Sequence, residues 1–104
     1  MFETVQRAES NNGEHWADLS VNRGSAIGYD WYAVVIGKSH PGWTDTLLRR
    51  VSEEVCILQG QGKISVSWAG PRELQVNCTE CSQKDFHIYK RDWDGVNIVF
   101  KFQD

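Results

Sequence analysis

Apolar and polar residues alternate along most of this chain, and a period of two marks strands that lay one face on a core. His15, Ala17, Leu19 and Val21 share one parity, while Trp16, Asp18 and Ser20 share the other, with Trp16 out of keeping on the polar side. From Tyr29 to Ile36 both parities are apolar: Trp31, Ala33 and Val35 on one, Tyr32, Val34 and Ile36 on the other. Such a run predicts the middle strand of a sheet, covered on two sides. Ile64, Val66 and Trp68 alternate before Gly70-Pro71, and Leu74, Val76 and Cys78 alternate after it, which predicts a hairpin. Parity constrains its turn. A two-residue loop at Gly70-Pro71 pairs Ser67 with Leu74 and splits the apolar sets between faces, so an odd-numbered loop is expected. Val96, Ile98, Phe100 and Phe102 form a last strand after Asp94-Gly95, a dipeptide suited to the positive φ of a tight turn.

The middle of the chain carries a mixed signal. Gly37 to Gly42, with Ser39, His40 and Pro41, reads as loop. Leu47, Leu48, Val51 and Val55 fall at helical spacing, but Val55-Cys56-Ile57-Leu58, closed by Gln59-Gly60-Gln61-Gly62, reads better as a strand entering a hairpin. The expectation is a loop or one short helix near 44–51, then a strand. No repeat, heptad or linker divides the chain. The fold class predicted is all-β, a small antiparallel sandwich or rolled sheet of six to seven strands, forming one domain over residues 1–104.

Composition agrees with a single folded unit. The chain has 104 residues, 40% apolar and 24% charged, with five tryptophans, and a domain of this length buries roughly two-thirds of the surface its unfolded chain exposes. The formal net charge is −3, and the basic residues are scattered apart from Arg49-Arg50. No basic stripe exists to follow a phosphate backbone, so nucleic acid is not an expected partner. No apolar run approaches the roughly 18 residues of a membrane span, and the opening Met1-Phe2-Glu3-Thr4 is not a secretory signal. As written the chain is expected in the cytoplasm. A mature chain trimmed of an export signal and given a new methionine would read identically, which points to the cell envelope instead.

Four features occur in an order that resembles a loosely defined group of small bacterial β-rich proteins, many exported or lipid-anchored. They are the polar turn Asn11-Asn12-Gly13 before a strand, Gly24 to Val35 leading into a central strand, the hairpin from Val66-Ser67-Trp68 to Leu74-Gln75-Val76, and Trp93-Asp94-Gly95-Val96 before the last strand. The resemblance implies an all-β fold and an envelope location. It transfers no activity and no site residue, and the export signal common in the group is absent here.

Cys78-Thr79-Glu80-Cys81 is the sharpest local signal, because thiols at this spacing can share a metal or close a small ring. It supplies only half of a structural zinc site, so Cys56 and one of His87, His40 or His15 would have to converge on it. A thioredoxin-like role wants a helix after the second cysteine, and Ser82-Gln83-Lys84-Asp85 reads as loop. A structural disulfide between Cys78 and Cys81, or between either one and Cys56, suits an exported chain, whereas in a reducing compartment all three are simply small buried or loop residues. No Gly-x-Ser-x-Gly elbow is present, Asp92 and Asp94 read as turn residues, and Gly60 and Gly62 as hairpin punctuation. The segment from Ser39 to Arg50 exceeds an ordinary hairpin loop of roughly 2 to 5 residues. It holds His40, Trp43, Arg49 and Arg50, where a tryptophan beside arginines reads as an interface anchor and, equally, Trp43 as a lid folded over the core.

The functional expectation is a non-enzymatic bacterial domain without a cofactor that binds another protein, through the loop that holds His40, Trp43, Arg49 and Arg50 or through an exposed sheet face. One alternative is an inhibitor, such as a toxin-immunity or phage-encoded anti-defence protein, since an acidic domain is steered onto a basic enzyme surface. The other is a zinc-stabilised or thiol-redox module built on Cys78 and Cys81 with Cys56 and His87. The pattern specifies no oligomeric state.

Overall fold

The computed structural model describes residues 3–22, 31–48 and 51–103. Among the described residues there are nine strands in two sheets and one short α-helix, arranged as a β-sandwich. The elements in chain order are β1 (Glu3–Glu9), β2 (His15–Asn22), β3 (Trp31–Lys38), α1 (Trp43–Leu47), β4 (Ser52–Gln59), β5 (Lys63–Gly70), β6 (Glu73–Thr79), β7 (Phe86–Ile88), β8 (Asp92–Trp93) and β9 (Val96–Gln103). A single 3-10 turn, Gln83–Asp85, precedes β7.

The first sheet runs β1-β2-β3-β4-β7, all antiparallel, and the run with two apolar parities is its middle strand. Ala17 pairs with Ile36, Leu19 with Val34, and Val34 with Cys56, so the same-parity residues form a continuous inner face. The outer face explains the misplaced tryptophan. The Trp16 indole lies against Gly37, where any Cβ would enter the ring, and the Arg7 guanidinium stacks over that ring at 4.6 Å. Arg7 Nε and Nη2 donate to both oxygens of the buried Asp18 carboxylate at 2.6 and 2.8 Å. That hydrogen-bonded ion pair holds the guanidinium pKa above its ordinary value.

The second sheet runs β5-β6-β9-β8. Ile64 pairs with Cys78, Val66 with Val76 and Trp68 with Leu74, so both apolar sets share one face, as parity requires. The loop itself has two residues, not the odd number expected, and a bulge keeps the register. Gly70 pairs with Glu73 around Pro71-Arg72, and the extra residue Ala69 absorbs the slip between Trp68 and Gly70. At the other tight turn, Asp94 (φ 51°) and Gly95 (φ 77°) join β8 to β9 in the positive-φ geometry expected of Asp-Gly.

Three expectations are revised. The strand count rises from six or seven to nine, because β7 and β8 are too short to leave a periodic trace and β1 is polar and exposed. The Gln59-Gly60-Gln61-Gly62 turn does not close a hairpin: β4 belongs to the first sheet and β5 to the second, so this turn carries the chain across the sandwich. The sheets are not purely antiparallel either, since β9 lies parallel to β6. Between the sheets the core is one cluster that includes Leu19, Val34, Ile36, Leu58, Leu74, Val76 and Ile98.

Candidate functional site

At one end of the sandwich the segment after β3 leaves the sheet and forms α1, and what holds this helix in place is polar. Lys38, the last residue of β3, donates from Nζ to Asp45 Oδ1 at 2.8 Å, and the other Asp45 oxygen accepts the Gly42 N–H at 2.9 Å. The Asp45 carboxylate, seconded by Asp94, raises the Lys38 pKa against the opposing cost of burial. No residue of α1 is buried. Trp43 is 78% exposed and Leu47 70%, and their i, i+4 spacing puts them on one face of the helix; Leu48, at 58%, follows directly.

Behind α1 lies an open pocket of about 340 Å³ lined by Glu14, His15, Lys38, His40, Asp45 and Asp94. It joins the two sheets. His15 is the first residue of β2, 4% exposed, and its Nε2 lies 3.0 Å from Asp94 Oδ2 in the β8–β9 turn. A carboxylate accepts only, so Nε2 carries the proton and donates. The second Asp94 oxygen lies 3.4 Å from Lys38 Nζ, which links β2, β3, α1 and the β8–β9 turn into one polar chain. Trp68 and Trp93 flank the imidazole, each with its ring centroid 6.3 Å away. His15 Nδ1 is buried and has no hydrogen-bond partner.

Of the residues singled out in the sequence, His40 and Trp43 come together here, His40 on the pocket wall and Trp43 on the helix in front of it. Trp43 faces solvent and is not a lid over the core. Arg49 and Arg50 lie outside the described residues. The cysteines are elsewhere. Cys78 of β6 and Cys81 in the turn after it are joined as a disulfide, so neither offers a thiolate for a metal. Cys56 is buried in β4 as a free thiol, and His87 on the neighbouring β7 is exposed. Burial pushes the Cys56 thiol pKa up to about 12. Among the described residues no group of three or more His, Cys, Asp or Glu side chains is placed to hold a metal ion, so the proposed zinc set of Cys78, Cys81, Cys56 and His87 does not assemble.

The contacts of Lys38 with Asp45 and of His15 with Asp94 carry little sequence signal. One clue existed: His15 sits at the inward parity of its strand, where an imidazole needs a partner. The partner is 79 positions away. No known protein family, curated protein or solved structure matches this chain.

Proposed function

We propose that this domain is a non-catalytic binding module whose contact surface is α1 and the residues beside it, and that its partner is another protein. The observation that carries the reading is the exposure of Trp43, Leu47 and Leu48 on a helix that buries nothing of its own. Core formation gives the chain no reason to order these side chains in water. A partner that covers them does: fully burying each leucine contributes roughly 1.5–3 kcal/mol, and tryptophan is among the side chains most enriched at the energetic centres of interfaces. The Lys38–Asp45 ion pair holds the helix against the sandwich, so the apolar face is presented in one orientation and less ordering is needed on binding.

The pocket behind the helix is lined by Glu14, His15, Lys38, His40, Asp45 and Asp94. Asp94 is already engaged by His15 and Lys38.

The test places a photo-crosslinking amino acid at position 47 in the native host, with position 75 on the other sheet as control. One defined protein adduct from position 47 alone is expected. Introducing Trp43→Ala should remove the adduct and leave the unfolding free energy within about 0.5 kcal/mol of wild type, as for an exposed side chain. If Trp43→Ala unfolds the domain, the helix is structural and the reading fails. Equal adducts from both positions would also sink it.

A further inference from the structure

Gln59 pairs with Trp31, at the opposite end of β3 from α1, and there two segments carry the chain between the sheets. Residues 60–62 lead from β4 to β5, and residues 80–85 lead from β6 to β7. The two crossings pack through glycine. A Cβ at Gly60 would come within 2.6 Å of Asp85 Oδ2, and one at Gly62 within 2.5 Å of Cys81 Sγ, so the second crossing seats two side chains where the first has none. Between them lies a pocket of about 530 Å³, walled by Gln59 to Gln61 on one side and by Glu80, Ser82, Lys84 and Asp85 on the other.

The Cys78–Cys81 disulfide ties the second wall to the end of β6, and its two sulfurs are differently placed. Cys78 is 1% exposed on the inward row of β6, whereas Cys81 is half-buried in the crossing itself. Exchange requires a thiolate to reach one of the sulfurs, so Cys81 is the one attacked and Cys78 leaves. The fold also provides for the open form. Cys81 Sγ lies 3.6 Å from the Thr79 carbonyl oxygen and 3.9 Å from that of Lys63, acceptors that a disulfide sulfur cannot use and an S–H can. Cys78 as a thiol remains a small core side chain opposite Ile64. Glu80, enclosed in the ring, stands at φ 59°, a left-handed conformation uncommon for a residue with a Cβ, and opening the ring releases it. Cys56 is wholly buried in β4, out of reach of exchange with the pair.

We propose that this disulfide is a reversible redox switch: a dithiol opens it in the folded domain, and the crossing of residues 80–85 then relaxes and reshapes the pocket it lines. A thiolate of the dithiol attacks Cys81 Sγ, the S–S bond breaks, and its electron pair leaves on Cys78 Sγ, which takes up a proton. The second sulfur of the dithiol, as thiolate, attacks the mixed disulfide and expels the Cys81 thiolate, which is protonated in turn. The two electrons and two protons gained by the cysteines are those the dithiol loses as it closes into a cyclic disulfide. The switch is independent of the α1 surface.

The experiment equilibrates the full chain with mixtures of reduced and oxidised dithiothreitol and quenches it with N-ethylmaleimide in denaturant. Intact mass then counts one label on the closed form, from Cys56, and three on the open form. Expected is a reversible passage between the two, at a rate that urea below the unfolding transition leaves unchanged. Amide shifts on opening should be confined to residues 59–62 and 79–85, with Val34 and Val76 of the core unmoved. Cys81→Ser should show the open form's shifts at the same amides without any reductant. A disulfide that opens only as urea populates the unfolded chain overturns the proposal, because it is then a structural staple. Opening with shifts spread through both sheets, or with none in residues 59–62, overturns it as well.

Discussion

At the scale of single residues, the same side-chain type serves opposite ends according to where the strands place it. Cys56 is wholly buried in β4, and its thiol is held neutral by the cost of carrying charge into the core. This is a stability statement. The folded pKa of about 12 lies above the ordinary value of 9.0, so above pH 9 the unfolded chain binds fewer protons than the native one and stability falls as pH rises. Cys56→Val removes the ionisation while keeping an apolar side chain of similar size. Relative to that variant, wild type should lose about 1.4 kcal/mol between pH 8 and pH 10, read from urea unfolding at each pH. A constant difference would show that the thiol titrates alike in both states. Position 56 within an apolar β-branched run already marks this cysteine as buried. By contrast, nothing near Asp94 in the chain distinguishes a turn aspartate from one that also holds a histidine of the opposite sheet.

At the scale of elements, the turn after β6 shows how local chemistry fixes a change of sheet. Cys78 ends the inward row of β6, and Glu80, at φ 59°, turns the chain while its N–H donates to the Gln103 carbonyl at 2.7 Å. The disulfide to Cys81 then pins that turn against the start of β5. Only glycine fits at 62, where φ is 135° and a Cβ would come within 2.5 Å of Cys81 Sγ. The disulfide closes a ring across a separation of three residues, and for so short a loop the entropy removed from the unfolded chain corresponds to about 2 kcal/mol. Reduction should lower the unfolding free energy from urea titration by that amount without broadening the transition. An unchanged midpoint would mean that the Glu80–Gln103 hydrogen bond and the packing of Gly62 hold the turn unaided. The spacing of these cysteines was visible in the sequence. It offered their pairing as one of several alternatives, and the choice among them depends on β6 ending where the chain must cross to β7.

At the scale of the whole molecule, what was legible is what parity controls. The middle strand, the shared face of the β5–β6 hairpin and the Asp-Gly turn follow from alternation and turn chemistry, which act over a few residues. The partition of strands between sheets does not, since β4–β5 and β6–β7 both cross the sandwich on turns that resemble hairpin loops. Nor does the insertion of β9 between β6 and β8, where it lies parallel to a strand made much earlier in the chain. That insertion makes the second sheet depend on the last strand. Val96 and Ile98 bring buried side chains to the shared core, and Phe100 and Phe102 pack edge-on against Phe86 of β7, tying the sheets together. Without β9, β6 loses one of its two neighbours and β8 its sole pairing among the described residues. The β8–β9 turn that carries Asp94 to His15 disappears with it. Cooperative unfolding should therefore be absent from a chain ending at residue 95. Ile98→Ala in the full chain should cost about 2–5 kcal/mol, as for other buried isoleucines. A 1–95 fragment that kept dispersed amide resonances and a single sharp transition would show instead that the first sheet and the β5–β6 hairpin form a stable unit alone. In that case the polar site at the sheet junction would be an addition to the fold and not a consequence of closing it.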